Sequence, residues 1–438
     1  MAAYLSVGLL LVGGITALPG GVALLYDRLA PLLAQRLLPL LAVERARRVR
    51  ESAAVAVSGV VAALSLAVAL TVMVASFRDS VTRWLDVVLP ADLYLRAAQS
   101  TAAADTANFG PAFVQAAARV PGVARVATQR VRSLLLDPAL PPVTLLSRRI
   151  DDAAQALPLV GPLLPVPEGQ VGLYVSEAMV DLYGARPGTA FPAFSKSFVP
   201  AVHAGRAQSA TFFVAGVWRD YVRQSGAVLM DQRDYERLTD DLQATDLQLW
   251  LAPGADAAAV QQALRVLAAG TDNGPAGGAA AAGTLEFASA QELRATSLRI
   301  FDRSFAVTYW LQAVAIGIGL FGVAASFSAQ VLARRKEFGL LAHLGLTRAQ
   351  ILAVVAGEGA AWTVIGALAG LALGLAVAVV LVHVVNPQSF HWTMDLLVPW
   401  ARLLMLCAAV VAAGTATAWL AGRAAAGRDA VLAVKEDW

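Results

Sequence analysis

Three lysines, four histidines and one cysteine are all that 438 residues contain of those types, and each scarcity closes off a class of function. Lys196, Lys336 and Lys435 follow Ser195, Arg335 and Val434, so the chain has no Gly-Lys-Ser/Thr phosphate loop to cradle a nucleotide. Cys407 has no second cysteine to pair with, and an intrachain disulfide is excluded. His203, His343, His383 and His391 are scattered, and neither His-Glu-x-x-His nor Gly-x-Ser-x-Gly occurs. His203 reads as a solvated surface residue. The acidic pairs Asp151-Asp152 and Asp240-Asp241 lack neighbouring ligands at calcium-loop spacing and read as solvated or helix-capping. No catalytic residue, no metal ligand and no cofactor bound by the chain itself is expected. Charge is scarce as well, at 15% of residues, where a soluble protein carries about a quarter.

What fills the space is apolar. Hydrophobic residues make up 58% of the chain and the mean hydropathy is +0.62. A bilayer core needs about 20 apolar residues in a helix, and five runs qualify. Residues 4–26, 52–76 and 304–333 hold no Asp, Glu, Lys or Arg; 351–385 holds only Glu358, and 403–422 none. The fourth run exceeds what a bilayer requires and is expected to tilt or protrude.

Arginine orients the set. Arg28, Arg36, Arg45, Arg47, Arg48 and Arg50 lie between the first two runs; Arg334, Arg335, Lys336 and Arg348 between the third and fourth; Arg423, Arg428 and Lys435 after the fifth. All three groups are cytoplasmic if the runs alternate, which places Met1 outside. Residues 386–400 hold no Lys or Arg and carry Trp392 and Trp400, as an outer loop with interfacial aromatics would. The net charge of +3 and a pI near 9.2 are therefore a topology signal, and nucleic acid is not an expected partner. A signal peptide fits the first run poorly, since it lacks a positive n-region and is too long for an h-region.

The expected fold is an α-helical integral membrane protein of about five transmembrane helices with one α+β extracytoplasmic domain inserted between the second and third. Its parts are 1–51 (a spanning helix and cytoplasmic connector), 52–76 (a span), 77–303 (the domain), 304–422 (three spans) and 423–438 (an amphipathic tail). Within the domain, 91–96, 123–131, 211–217 and 246–251 read as strands, and 112–119 and 257–268 as helices. Residues 271–283 are Gly/Ala-rich and read as a mobile loop.

The richest segment is 334–351, Arg-Arg-Lys-Glu-Phe-Gly-Leu-Leu-Ala-His-Leu-Gly-Leu-Thr-Arg-Ala-Gln-Ile. It reads as a helix leaving a membrane, a break at Gly345, and a second helix starting after Thr347. Thr347 and Gln350 have capping-box spacing, and Leu346 and Ile351 hydrophobic-staple spacing. The alternative is an ordinary positive-inside loop. Downstream, Gly366, Gly370 and Gly374 share one helix face at four-residue spacing, for packing within the bundle or at a subunit interface. Glu358 is an intramembrane carboxylate, a functional candidate by default, with an interfacial or helix-dipole role favoured over proton coupling.

With 354–358 and the glycine run 366–374, this segment resembles the C-terminal permease module of FtsX/MacB-type ABC transporter subunits. The order of a span, a large domain and three further spans is similar, and so is the amphipathic tail; the likeness covers most of the chain from about residue 51. The resemblance implies a type VII assembly of two permease modules and two ATPase subunits in the bacterial inner membrane. Residues 334–350 would then be a coupling helix, with Arg334, Arg335, Lys336 and Glu337 in its charged part, Phe338, Leu341 and Leu344 as apolar contacts, and Gly339, Gly345 and Thr347 shaping it. ATP and Mg would enter only through that separate cytoplasmic ATPase.

The substrate implied is a lipid, lipoprotein, peptide or drug-like molecule; the alternative is a mechanotransmitting regulator of an extracytoplasmic effector such as a cell-wall hydrolase. Residues 4–26 depart from the four-span module and resemble the second half of ten-span members. That leaves the second permease module open: another copy, a different subunit or a missing N-terminal half. Membrane lipids and a periplasmic protein are the remaining implied partners.

Overall fold

The computed structural model describes residues 4–17, 20, 50–97, 108–198, 202–203, 206–207, 210–270, 285–333, 337, 340 and 345–425. In chain order the helices and strands begin with α1 (Tyr4–Ala17), α2 (Arg50–Val88), β1 (Leu93–Ala97), α3 (Pro111–Ala117), β2 (Val123–Leu134) and β3 (Val143–Arg148). There follow α4 (Ala153–Ala156), β4 (Gln170–Ser176), α5 (Glu177–Tyr183), α6 (Pro192–Ser197), β5 (Val202–His203), β6 (Arg206–Ala207), β7 (Thr211–Trp218) and β8 (Ala227–Asp231). The remainder are α7 (Gln232–Thr239), β9 (Asp246–Leu251), α8 (Ala257–Gly270), β10 (Leu285–Ser289), α9 (Ala290–Ala333), α10 (Arg348–Val380), a π-helical turn (Leu381–Val385), α11 (Asn386–Phe390) and α12 (Trp400–Ala425). They sort into two compact units: Met1–Asp79, Asp302–Val385 and Met394–Trp438 form one, Ser80–Phe301 and Asn386–Thr393 the other.

Four described helical stretches are long and apolar enough to cross a membrane, and the first unit holds all or part of each: Val57–Val88, Ala290–Ser326, Arg348–Phe390 and Trp400–Arg423. Of the expected span at 4–26, α1 accounts for Tyr4–Ala17, and the rest lies mostly outside the described residues. Val57, Val60, Leu64, Val68 and Val72 of α2 bury against Trp362, Ile365 and Val377 of α10 and Leu403 and Val410 of α12. On α9, Val307, Trp310, Ile318 and Phe321 are exposed, an apolar surface suited to lipid. Gln312 of α9 donates through Nε2 to the Ala67 carbonyl (3.0 Å) and the Thr71 hydroxyl (2.7 Å) of α2, a polar tie between two apolar helices.

Two helices run past the limits that charge suggests. α2 does not stop at Ser76, because Phe77, Val81, Trp84 and Leu85 keep a buried stripe at helical spacing while Arg78, Asp79 and Arg83 turn away from it. Its 39 residues make a rod of about 58 Å, nearly twice a bilayer core. α9 begins at Ala290 rather than 304, since Ser289 and Glu292 form a capping box: the Glu292 amide donates to the Ser289 hydroxyl (3.1 Å) and the Ser289 amide to the Glu292 carboxylate (2.9 Å).

The second unit is an eight-stranded mixed sheet of order β10-β1-β9-β2-β3-β8-β4-β7, parallel only at β3/β8 and β4/β7. Side chains alternate across it. Leu93, Leu95, Leu247 and Leu249 face α3 and α8, closing a core with Phe109, Phe113, Val260 and Leu264. Leu145, Leu173, Phe212 and Val214 close a second core with Phe194 of α6 and Tyr235 of α7. Of the strands expected from sequence, 246–251 is β9, while 91–96, 123–131 and 211–217 shift or lengthen by a few residues. β3, β4, β8 and β10 were not expected, although β4 alternates buried Val171, Leu173 and Val175 with less buried neighbours. Residues 271–283 lie outside the described ones.

Candidate functional site

At the elbow, Gly345 has φ of +94°, a left-handed backbone that only glycine adopts without strain. Thr347 then caps α10: its hydroxyl accepts from the Gln350 amide (3.3 Å) while its own amide donates to the Gln350 side chain (2.8 Å). Leu346 packs against Ile351 and Val355. Glu337 is helical and exposed. Arg334, Arg335, Lys336, Phe338, Gly339, Leu341 and Leu344 lie outside the described residues.

The three glycines of α10 face α2. A Cβ on Gly366 would stand 2.8 Å from Val57, on Gly370 3.1 Å from Leu64, and on Gly374 2.6 Å from Val68 and 2.7 Å from the Ser65 carbonyl. A second glycine seam joins α10 to α12, where Gly359 meets Ala418 and Gly414 meets Thr363. Glu358 is buried, roughly three turns past the cap and so beyond the one-turn reach of the helix N-terminal dipole, which removes the dipole role expected of it.

The loop after α10 holds a site that sequence gives no sign of. Residues 386–393 belong to the sheet unit, and Thr393 has every polar group engaged there. Its amide donates to Glu177 Oε2 (3.1 Å), its hydroxyl donates to Glu177 Oε1 (2.6 Å) and accepts from Arg219 (3.0 Å), and its carbonyl accepts from the Tyr221 hydroxyl (3.2 Å). Asn386 donates to the Trp392 carbonyl (2.9 Å), and Trp392 stands edge-on to Tyr221 at 4.8 Å. Trp84 of α2 donates to the Arg219 carbonyl (2.8 Å). His391, with φ of +57°, places Nδ1 3.2 Å from Asp181 of α5. Trp392 is thus buried in the domain rather than anchored at a membrane interface; Trp400 is 55% exposed.

The electrostatics follow from burial. The Glu177 and Arg219 side chains are 11% and 17% exposed and 3.8 Å apart. Burial pushes the Glu177 carboxyl above the usual glutamate range, and the Thr393 hydrogen bonds and Arg219 only partly offset that. Burial pushes the Tyr221 hydroxyl up to about 12, so it stays a donor. Elsewhere in the sheet unit, Asp241 is no solvated acid: it accepts from Arg130 (2.8 Å) and the Tyr235 hydroxyl (3.0 Å). Burial raises its pKa, but Arg130, the Gln243 amide and Tyr235 outweigh that and hold it below the usual carboxylate value. Asp152 caps α4, as its position suggests, and Asp240 ends α7 in a left-handed conformation. Among the described residues, no group of three or more His, Cys, Asp or Glu is placed to hold a metal.

Residues 311–430 match the C-terminal domain of the FtsX-like permeases. Over 408 residues the chain is 28% identical to an uncharacterized ABC transporter permease protein of Mycobacterium tuberculosis; the alignment covers 90% of this chain and 45% of that protein, so the chain spans about half the length of the curated relative it matches. Two solved structures are distantly similar. The periplasmic region of MacB from Actinobacillus actinomycetemcomitans aligns with 48% of this chain and 94% of its own, at 10% identity and a TM-score of 0.31. The extracellular domain of the transporter YknZ from Gram-positive bacteria aligns with 42% and 97%, at 13% identity and 0.27. By the permease-domain match over residues 311–430 and the alignment along 90% of its length, the chain resembles the FtsX-like permeases of ABC transporters, and its apolar helices are those of a multi-pass protein of the bacterial cytoplasmic membrane.

Proposed function

We propose that this chain is the membrane subunit of an ABC assembly in which a separate cytoplasmic ATPase drives export or extraction of a lipid, lipoprotein, peptide or drug-like substrate. The observation that carries the proposal is the capped break at Gly345–Thr347 between α9 and α10, preceded by the basic segment 334–336. A rigid turn of this kind gives a docked partner a hold on α10 from its first residue. α10 passes through the π-helical turn Leu381–Val385 into α11, whose residues belong to the sheet unit, so movement of α10 would reach the outer domain along the chain itself. Phe338, Leu341 and Leu344 supply the apolar contacts to the ATPase, and Arg334, Arg335 and Lys336 set register against acidic groups or lipid phosphates. The second permease module that such an assembly needs is another copy, a different subunit or a further part of a longer chain.

The test is co-purification of an ABC ATPase with the tagged chain from its native membrane. The double variant Arg335→Glu/Phe338→Asp is expected to insert into the membrane normally and to lose both the ATPase and its substrate-stimulated activity. Unchanged association and activity in the double variant would falsify the coupling role.

A further inference from the structure

A cavity of about 260 Å³ opens on the face of the sheet opposite the α3/α8 core, entirely within the sheet unit. Its floor follows from strand register. Gln248 on β9 lies opposite Tyr94 on β1 and Ala127 on β2, and Asp246 lies opposite Arg96 and Gln129. Side chains directly opposite one another in a sheet share a face, so Tyr94, Gln129 and Gln248 line the same floor. Val88 and Leu89, at the end of α2 and just past it, and Leu293 of α9 form an aliphatic wall.

The polar groups of this cavity divide sharply. The charges are matched by opposite ones: Arg96 holds Asp246 through Nε and Nη2, Arg223 holds Asp220 at 2.9 Å, and Glu286 stands across the strand from Arg96. The neutral groups are not. Gln248 is only 9% exposed, yet its carboxamide has no hydrogen-bond partner among the described residues, and neither has that of Gln129. The Tyr94 hydroxyl accepts from the Ala91 amide (3.0 Å) and keeps its proton to donate. Leaving a buried polar group unsatisfied costs about 1–3 kcal/mol, so an occupant that pairs with these groups gains what an apolar one forfeits.

That division selects the occupant. An acyl chain would suit the wall but bury two carboxamides without partners. An anion would meet Asp246 and Glu286, and a cation Arg96 and Arg223. A peptide group carries one donor and one acceptor, as a carboxamide does, and an aliphatic side chain beside it meets Val88, Leu89 and Leu293. We infer that this cavity binds a short extended stretch of peptide, its main-chain amides paired with Gln248 and Gln129 and one aliphatic side chain against the wall. The site needs neither the elbow nor an ATPase, and so stands apart from the coupling reading.

The test uses the full chain in lipid nanodiscs with N-acetyl-alanyl-photoleucyl-alaninamide as probe. Saturable labelling is expected in fragments containing 88–96, 246–248 or 286–293, weakened about tenfold or more by Gln248→Leu with Gln129→Leu, the loss of about one net hydrogen bond. As a check that does not remove the glutamines, Ala288→Cys in a Cys407→Ser background should be alkylated more slowly when the unlabelled tripeptide is present. Labelling confined to the membrane-spanning helices, or unchanged in the double variant, overturns the inference. So does labelling of the same fragments by a diazirine fatty acid but not by the tripeptide, which makes it an acyl site, and so does the absence of both labelling and protection, which makes it a hydrated hollow.

Discussion

In the membrane unit the tightest approaches are made by glycines: Gly374 of α10 lies against Val68 and the Ser65 carbonyl of α2, and Gly366 and Gly370 repeat the arrangement toward the elbow end of α10. In the sheet unit the corresponding places are held by charge and hydrogen bonds, as where Arg130 of β2 engages Asp241, Asn108 and Thr245 together. The contrast follows from solvent. Lipid gives helices no hydrophobic reason to associate, so close van der Waals contact between small residues must do it. A water-exposed domain gains from burying leucine and phenylalanine, and can then hold ions in what remains of the interior only if each is paired.

The hardest blow to that contrast falls on the glycine seam. Gly374→Leu puts a side chain where a backbone carbonyl already stands 2.7 Å from the Cβ position, and a carbonyl fixed in a helix cannot move aside cheaply. The expected loss is at least about 3 kcal/mol, at the upper end of what overpacking costs. It should appear as aggregation or as a large drop in the thermal midpoint of the detergent-solubilised chain. Gly317 of α9 has nothing within 4 Å of its Cβ position, so Gly317→Leu should leave the midpoint nearly unchanged. Equal effects at the two positions would mean that the seam is not what holds α10 to α2.

The matching break in the sheet unit is Asp241→Asn. The Arg130 and Asp241 side chains are 10% and 18% exposed, so removing the carboxylate charge strands a buried guanidinium. About 3 kcal/mol is expected, the lower end for breaking a buried pair. For a unit of this size that is a fall of roughly 10 °C in its thermal midpoint, read by tryptophan fluorescence. A fall of about 1 °C would put the pair with ordinary surface bridges and erase the contrast.

How much of this was legible in the sequence tracks the same division. Spans, the break at Gly345, the Thr347/Gln350 cap and the facing glycines are local patterns, and a helix places local patterns predictably. The extension of α2 to Val88 was hidden because Arg78, Asp79 and Arg83 look like the end of a span, although the stripe of Phe77, Val81, Trp84 and Leu85 continues between them. The cap that starts α9, Ser289 with Glu292, is a local pattern too, but the polar residues Arg294, Thr296, Ser297 and Arg299 that follow it hide the helix it opens. The Thr393 site is different in kind. Glu177 and Thr393 are 216 positions apart, and nothing in either neighbourhood marks the other; only the sheet, which carries Glu177 at the end of β4, brings them together.

That site also supplies the gentlest test, because it carries a charge at a place where burial opposes one. Burial raises the Glu177 carboxyl above its ordinary value of 4.5, so the folded state holds the proton more tightly than the unfolded chain does. Stability from this group is therefore fully present below the ordinary value and is lost as pH rises through the folded one. Asp241 has the opposite sign: its lowered pKa gives stability that is present above 3.8 and lost on acidification, so the two groups act in different windows. Comparing thermal midpoints of the chain and of Glu177→Gln from about pH 4 to about pH 8, the natural chain should lose ground to the variant as pH rises above 4.5, then run parallel to it. A gap that is constant, or that widens in favour of the natural chain as pH rises, would mean that Arg219 at 3.8 Å outweighs burial, and that the Thr393 site is held by an ion pair like the one at Asp241.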